Sequence, residues 1–262
     1  MILDKIVERK KEEVAALKSR GVQLPESYRD WQPDQTRGFR RALLDYHGVS
    51  VIAEVKKASP SKGIICADFN PVRIALNYEA NGAQALSVLT DVDFFQGSLL
   101  FMMQVRQAVR LPVLRKDFII DSLQIDEARA HGADAVLLIC AILDRSQIQE
   151  YREQAAGLGM DSLVEVHDEK DLQKALDANA DLIGINNRNL RDFSVDINTT
   201  FRLQKMIPTG VSVVSESGLK STEDILKLKQ EGVTAALIGE SLMRAGQNST
   251  LLSSLRESEK KG

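Results

Sequence analysis

Short apolar runs recur along the chain at about 50–56, 85–90, 112–116, 135–140, 161–166, 182–186, 212–216 and 235–239. The stretches between them carry helical spacing, as in Ser122-Leu123-Gln124-Ile125-Asp126-Glu127-Ala128-Arg129-Ala130. Strand alternating with helix predicts an α/β protein with a parallel sheet. Eight such units in roughly 210 residues match the size of a (β/α)8 TIM barrel. An internal repeat agrees with this. Asn81-Gly82-Ala83-Gln84-Ala85-Leu86 resembles His131-Gly132-Ala133-Asp134-Ala135-Val136, with weaker copies at Asn179-Ala180-Asp181-Leu182 and Glu231-Gly232-Val233-Thr234-Ala235-Ala236. Each copy marks a helix ending, often at Gly, ahead of an even-numbered strand. A doubly wound open sheet is the alternative, but a G-x-G-x-x-G fingerprint is absent. Residues 1–262 are therefore expected to form one barrel domain. Residues 1–48 precede the first strand as an N-terminal helical extension: a charged helix at about 3–19, a Pro/Gly-bearing connection and a short helix near 39–45. The extension is expected to pack on the barrel, over an end or near the active site.

Strand parity places the polar positions. In the first strand Val51, Ala53 and Val55 share one face, and Ile52, Glu54 and Lys56 the other. In the fifth, Val164 and Val166 oppose Leu163 and Glu165; in the sixth, Ile183 and Ile185 oppose Gly184 and Asn186. The aliphatic face is expected to pack on the helices, and the face ending in polar groups to open into the barrel mouth. Lys116 and Glu216 end two further strands in the same way. Ionised groups are costly to bury without partners, so strands that deliver them to one rim point to a reaction centre.

Composition narrows the class. Hydrophobic residues make up 44% and charged residues 27%, with a net charge of −3. These values give no case for a nucleic-acid or membrane surface. The opening Met1-Ile2-Leu3-Asp4-Lys5-Ile6-Val7-Glu8-Arg9-Lys10-Lys11 is too charged for a signal peptide, and no apolar run approaches the roughly 20 residues of a spanning helix. A cytoplasmic chain is expected, with Cys66 and Cys140 as free thiols. No His/Cys cluster has metal-ligand spacing.

Four motifs carry chemistry. In Glu54-Val55-Lys56-Lys57-Ala58-Ser59-Pro60-Ser61-Lys62-Gly63, Glu54 and Lys56 are i,i+2 neighbours that can hold each other charged. The bland reading, an edge-strand ion pair with a solvated loop, fails in a closed barrel, which has no edges. In Leu114-Arg115-Lys116-Asp117-Phe118, Lys116 faces inward as a general acid, an anion clamp or a Schiff-base nucleophile, unless it snorkels to water. Phe118 suits a flat apolar group. Glu165 and Glu216 converge on one mouth, where like charges push one pKa upward. Asn186 can hold a hydroxyl or carboxylate, and Arg188 reads equally as an anion ligand or a surface loop residue. Finally, Ser217-Gly218 after the seventh strand and Gly239-Glu240-Ser241 after the eighth stand where barrel enzymes hold phosphate.

These segments together resemble the indole-3-glycerol-phosphate synthase family. The resemblance covers nearly the whole chain. It rests on Ile52 through Ser61, Val88-Leu89-Thr90-Asp91 with Phe94-Phe95-Gln96-Gly97-Ser98, Leu114 through Phe118, Leu163-Val164-Glu165-Val166-His167, Ile183 through Leu190, Ser215-Glu216-Ser217-Gly218, and Leu237 through Met243. It implies closure of 1-(2-carboxyphenylamino)-1-deoxyribulose 5-phosphate to indole-3-glycerol phosphate, CO2 and water, in tryptophan biosynthesis, with no cofactor and no metal. It implies Lys116 as the acid that polarises the ketone, and Glu165 and Lys56 as proton-transfer groups. Glu54 would organise Lys56 and the anilino nitrogen, and Asn186 would orient a hydroxyl, with Glu216 and Ser217 completing the mouth. Arg188 and Lys56 would face the departing carboxylate. Phosphate would sit on Ser59 and amides near Gly218, Gly239 and Glu240, and the ring against Phe118, with Phe94 and Leu137 contributing. The partner is a phosphorylated small molecule, and the chain is expected to be a monomer or weak homodimer. Two rivals remain: another sugar-phosphate barrel enzyme, aldolase or isomerase, and a silent barrel kept for binding.

Overall fold

A computed structural model of the chain describes residues 2–189, 193–246 and 250–257. Eight strands alternate with helices: β1 (Ser50–Val55), β2 (Ala85–Leu89), β3 (Val113–Lys116), β4 (Ala135–Ile139), β5 (Asp161–Val166), β6 (Leu182–Asn186), β7 (Ser212–Glu216) and β8 (Ala235–Ile238). All pair in parallel, and β1 closes the ring by pairing with both β2 (Ile52↔Ala85) and β8 (Ser50↔Ala235). The outer helices are α3 (Pro71–Ala80), α4 (Leu99–Ala108), α5 (Leu123–Ala130), α6 (Arg145–Gly157), α7 (Glu169–Asp177), α8 (Asn198–Gln204), α9 (Thr222–Gln230), α10 (Glu240–Arg244) and α11 (Leu251–Glu257). The fold is the (β/α)8 barrel that the periodicity predicts. Its strands end a residue earlier than the apolar runs at several places, and Lys56 lies one residue beyond β1. Among the described residues, no helix is long and apolar enough to cross a membrane.

The repeat has a local cause. Gly82, Gly132 and Gly232 all take φ between 73° and 87°, and Asn179 in the third copy takes 56°. Each reverses the chain after a helix in the left-handed conformation that glycine adopts freely and asparagine tolerates.

Period two divides the buried side chains into two cores. Val51, Ala53, Val55, Val164, Val166, Ile183 and Ile185 pack outward beneath the helices. Ile52, Leu114, Leu163, Leu182, Val214 and Leu237 fill the barrel. The inner core is finished from below by α2 (Phe39–Leu44), whose Phe39 and Leu43 are buried in it. One backbone amide and one carbonyl anchor α2 to residues at the strand starts: Arg40 N donates to Asp161 Oδ2 at 2.9 Å, and the Leu43 carbonyl accepts from Ser50 Oγ at 2.6 Å.

The first helix, α1 (Ile2–Arg20), goes to the opposite end. Its buried residues Ile6, Lys10, Val14 and Leu17 form one stripe at helical spacing. Lys10 is 2% exposed and ion-paired to Asp117 at 2.8 Å and to Asp91 at 3.0 Å. Those aspartates follow β3 and β2, so a buried lysine, paired on both sides, docks α1 on the C-terminal rim. Burial opposes its charge, but Asp117 and Asp91 outweigh it and push the Lys10 pKa up.

Candidate active site

The C-terminal rim encloses a cavity of about 790 Å³. Its wall includes thirteen of the residues singled out from the sequence: Glu54, Lys56, Ser59, Lys116, Phe118, Glu165, Asn186, Arg188, Glu216, Ser217, Gly218, Gly239 and Glu240. Parity explains the strand-borne set, because each side chain continues the inward face begun by Ile52, Leu114, Leu163, Leu182 or Val214.

Lys116 stands among carboxylates. Its Nζ lies 3.1 Å from Glu216 Oε2 and 3.5 Å from Glu165 Oε2. Burial favours the neutral amine, but Glu216, Glu165 and Glu54 together outweigh it and raise the lysine pKa. The same burial acts on Glu216. It pushes that carboxyl up to about 7, with Glu165 adding to the rise and Lys116 opposing it only in part. Glu54 behaves oppositely: burial is overcome by Lys56, Lys116 and Arg188, and its pKa falls below the ordinary carboxylate value. Glu54 accepts a hydrogen bond from the Lys56 ammonium. Two buried carboxylates in one mouth are thus driven apart in acidity.

Two glycines make room for this array. A methyl group on Gly239 would run into the Glu54 carboxylate, and one on Gly184 would run into Glu216. Asn186 is fixed by two donors to its Oδ1, Ser217 Oγ at 2.9 Å and Arg188 N at 3.0 Å. The Arg188 guanidinium reaches across to Glu240 Oε2 at 3.6 Å and donates to the Phe193 carbonyl at 3.3 Å. It therefore lines the mouth.

One wall is apolar. Phe118 packs against Phe95 with ring centroids 6.0 Å apart, and Leu89, Leu137, Ile139 and Leu237 continue the surface. Phe94 was expected here and is not part of the wall; Phe95, its neighbour, is. The pair lies in a loop where alternation gives no guide to facing. Ile2, Leu3 and Ile6 of α1 also line the cavity. Their i,i+4 spacing signals a buried face but not what the face covers.

His167 is a further residue for which the sequence suggested no role. Its Nε2 lies 3.5 Å from Glu165 Oε1 and its Nδ1 3.6 Å from Asp171 Oδ2. Burial favours the neutral ring, but Asp171 and Glu165 prevail and raise its pKa.

Comparison with known proteins places the chain among relatives. Residues 3–255 match the family model described as indole-3-glycerol phosphate synthase. The chain is 60% identical to the indole-3-glycerol phosphate synthase of Desulfotalea psychrophila, over 97% of this chain and 98% of that one. It is 54% identical to that of Chlorobium phaeovibrioides, over 92% and 93%. Among solved structures, KGPDC from Streptococcus mutans superposes with a TM-score of 0.63 at 13% identity, covering 82% of this chain and 99% of that one. Thiamine phosphate pyrophosphorylase from Pyrococcus furiosus gives 0.61 at 18%, covering 85% and 98%. These two share the fold.

Proposed function

The chain belongs to the indole-3-glycerol phosphate synthase family, decarboxylating lyases of tryptophan biosynthesis, and we propose that its rim cavity closes the indole ring with the thirteen residues above. The substrate is 1-(2-carboxyphenylamino)-1-deoxyribulose 5-phosphate, and the products are indole-3-glycerol phosphate, CO2 and water. The observation that carries the site assignment is Lys116, held 3.1 Å and 3.5 Å from two carboxylates at the junction of an apolar wall and a polar one.

The carboxyphenyl ring lies against Phe118, Phe95 and Leu137. The phosphate lies across the mouth on Ser59 and on backbone amides at Gly218, Gly239 and Glu240. Lys116 aims its ammonium at the ketone oxygen. As the carboxyl-bearing ring carbon attacks, negative charge grows on that oxygen, and a raised pKa suits a group that stabilises and then protonates an alkoxide. Loss of CO2 returns the electron pair to the ring; Arg188 and Lys56 face the carboxylate before it leaves. The new hydroxyl then departs as water while a base takes a ring-carbon proton. Glu165 and Lys56 serve these transfers, with Glu54 orienting Lys56, Asn186 a substrate hydroxyl, and Glu216 and Ser217 completing the mouth.

The electrostatics also weigh against a Schiff-base aldolase. Such an enzyme needs its lysine as free amine, and the three carboxylates oppose that form. The reading includes a single domain with residues 1–48 as its extension, a cytoplasmic location and a monomer or weak homodimer. Scattered exposed apolar side chains, such as Leu44, Ile64, Leu76 and Met206 on separate elements, support the last point. The test is direct. Adding the carboxyphenylamino substrate should give indole fluorescence with release of CO2, and borohydride should trap no adduct at Lys116. Absence of indole product, or a covalent adduct, overturns the assignment.

A further inference from the structure

Asn187 follows Asn186 directly, but it is 3% exposed and does not line the cavity. Its amide is fully engaged. Nδ2 donates to Ser215 Oγ at 3.1 Å and to the Ser217 carbonyl at 3.1 Å. Oδ1 accepts from Thr200 N at 3.1 Å and from Thr200 Oγ1 at 2.9 Å. Thr200 Oγ1 and Ser215 Oγ are 2.7 Å apart. The hydroxyl of Thr200 is committed to Asn187 Oδ1, so Ser215 must be the donor to Thr200. One consistent direction results: Asn187 to Ser215, Ser215 to Thr200, Thr200 back to Asn187. Such closed chains of bonds polarise one another, and Thr200 and Ser215 are completely buried.

The ring uses one amide N–H and leaves the other for Ser217. That serine takes φ of 67°, and Gly218 takes 83°. Two successive left-handed residues, the first not a glycine, form a turn that the surroundings must hold. Ser217 Oγ in turn fixes Asn186. We infer that Asn187 is the positioning residue that sets the Ser217–Gly218 turn for the substrate's phosphate, acting from behind the mouth through its bond to the Ser217 carbonyl. This rests on the phosphate placement proposed above.

The experiment measures steady-state kinetics and competitive inhibition by inorganic phosphate in three variants of the full chain. Asn187→Ala should raise KM and weaken phosphate inhibition by a common factor of ~10, the loss expected when a charge-binding turn loses its hydrogen-bonded support, while kcat falls much less. Thr200→Val breaks the ring with a side chain of the same shape and should shift both constants in the same direction by a smaller factor. It keeps the test open if Asn187→Ala fails to fold. Gly218→Ala is the control, because it alters the turn itself. If Gly218→Ala weakens phosphate inhibition and the other two leave it unchanged, the inference is overturned and the phosphate placement stands. If none of the three moves it, both fall. A drop in kcat and thermal midpoint with KM and phosphate inhibition unaltered would mark Asn187 as merely structural and also overturn the inference.

Discussion

Replacing Lys116 by methionine keeps the unbranched side chain as far as its ε position and removes the charged ammonium. Breaking a buried ion pair ordinarily costs about 3–5 kcal/mol, because a charge is stranded. Here Glu216 offers an escape, since its carboxyl already titrates at about 7. At pH 6 it is mostly protonated and Glu165 keeps His167 at 3.5 Å, so the variant strands little charge there, and a loss of only about 1 kcal/mol is expected. The sign of the pH dependence follows from the raised pKa. An unfolded glutamate is ionised above about 4.5, so a folded protein that keeps the proton loses stability as pH rises, by about 1.4 kcal/mol per unit. In the wild type this decline ends as Glu216 ionises near 7. Without Lys116 to favour ionisation, Glu216 stays protonated to higher pH and the decline continues. Over 1.5 units that adds about 2 kcal/mol, so the variant's deficit should grow from about 1 kcal/mol at pH 6 to about 3 at pH 8.5. Urea titrations of both proteins at these two pH values measure it. Turnover, followed by indole fluorescence, should fall by ~10³–10⁴, for loss of both proton donor and oxyanion partner. A deficit independent of pH would mean that Glu216 does not take up the proton, and a kcat within tenfold of wild type would remove Lys116 from the chemistry.

Glu165→Gln should lower kcat by at least ~10²-fold, as for a removed acid–base group; retention within a few-fold, with substrate affinity measured by equilibrium titration, would leave Glu165 a structural role only. Gly239→Ala should push Glu54 off Lys56 and cost on the order of 10²-fold in kcat, the penalty typical of ångström-scale misplacement; kinetics within twofold of wild type would show that Glu54 has room to move. Phe39→Ala opens a hole at the far end of the barrel and should cost about 3–5 kcal/mol in a denaturant titration, with kcat per folded molecule close to wild type; a large kcat loss would mean that the two ends are coupled.

The strand-borne half of the site was legible because period two is rigid. Once Val51 and Ala53 are assigned to the helix side, Glu54 must face in, and the same logic fixes Glu165, Asn186 and Glu216. Legibility stops where the strands stop. Phe94 and Phe95 are adjacent in a loop, and nothing in their order says which turns toward the cavity. His167 and Asn187 each lie one residue past a strand, and their partners Asp171 and Thr200 come from helices whose approach is a tertiary matter. The balance at Lys116 was equally hidden. Burial and neighbouring carboxylates act in opposite senses, and only the distances to Glu216 and Glu165 show that the carboxylates win. The space that Gly184 and Gly239 leave for Glu216 and Glu54 was not legible either, because what it accommodates belongs to other strands.

The helix that walls the apolar side of the mouth has a consequence for synthesis. α1 leaves the ribosome before any strand of the barrel, yet its docking site does not exist at that moment. The aspartates that receive Lys10 stand after the second and third strands, and the rim they belong to closes only when Ala235–Ile238 pairs with Ser50–Ala53. Its apolar stripe of Ile6, Val14 and Leu17 therefore waits, exposed, at least until Asp91, Asp117 and the helix Leu123–Ala130 have been made. This is the kind of long-range contact that slows folding and leaves a nascent chain prone to association. Activity is then among the last properties the molecule acquires: a closed barrel can precede a finished pocket, and what finishes the pocket is a helix made before any of the strands.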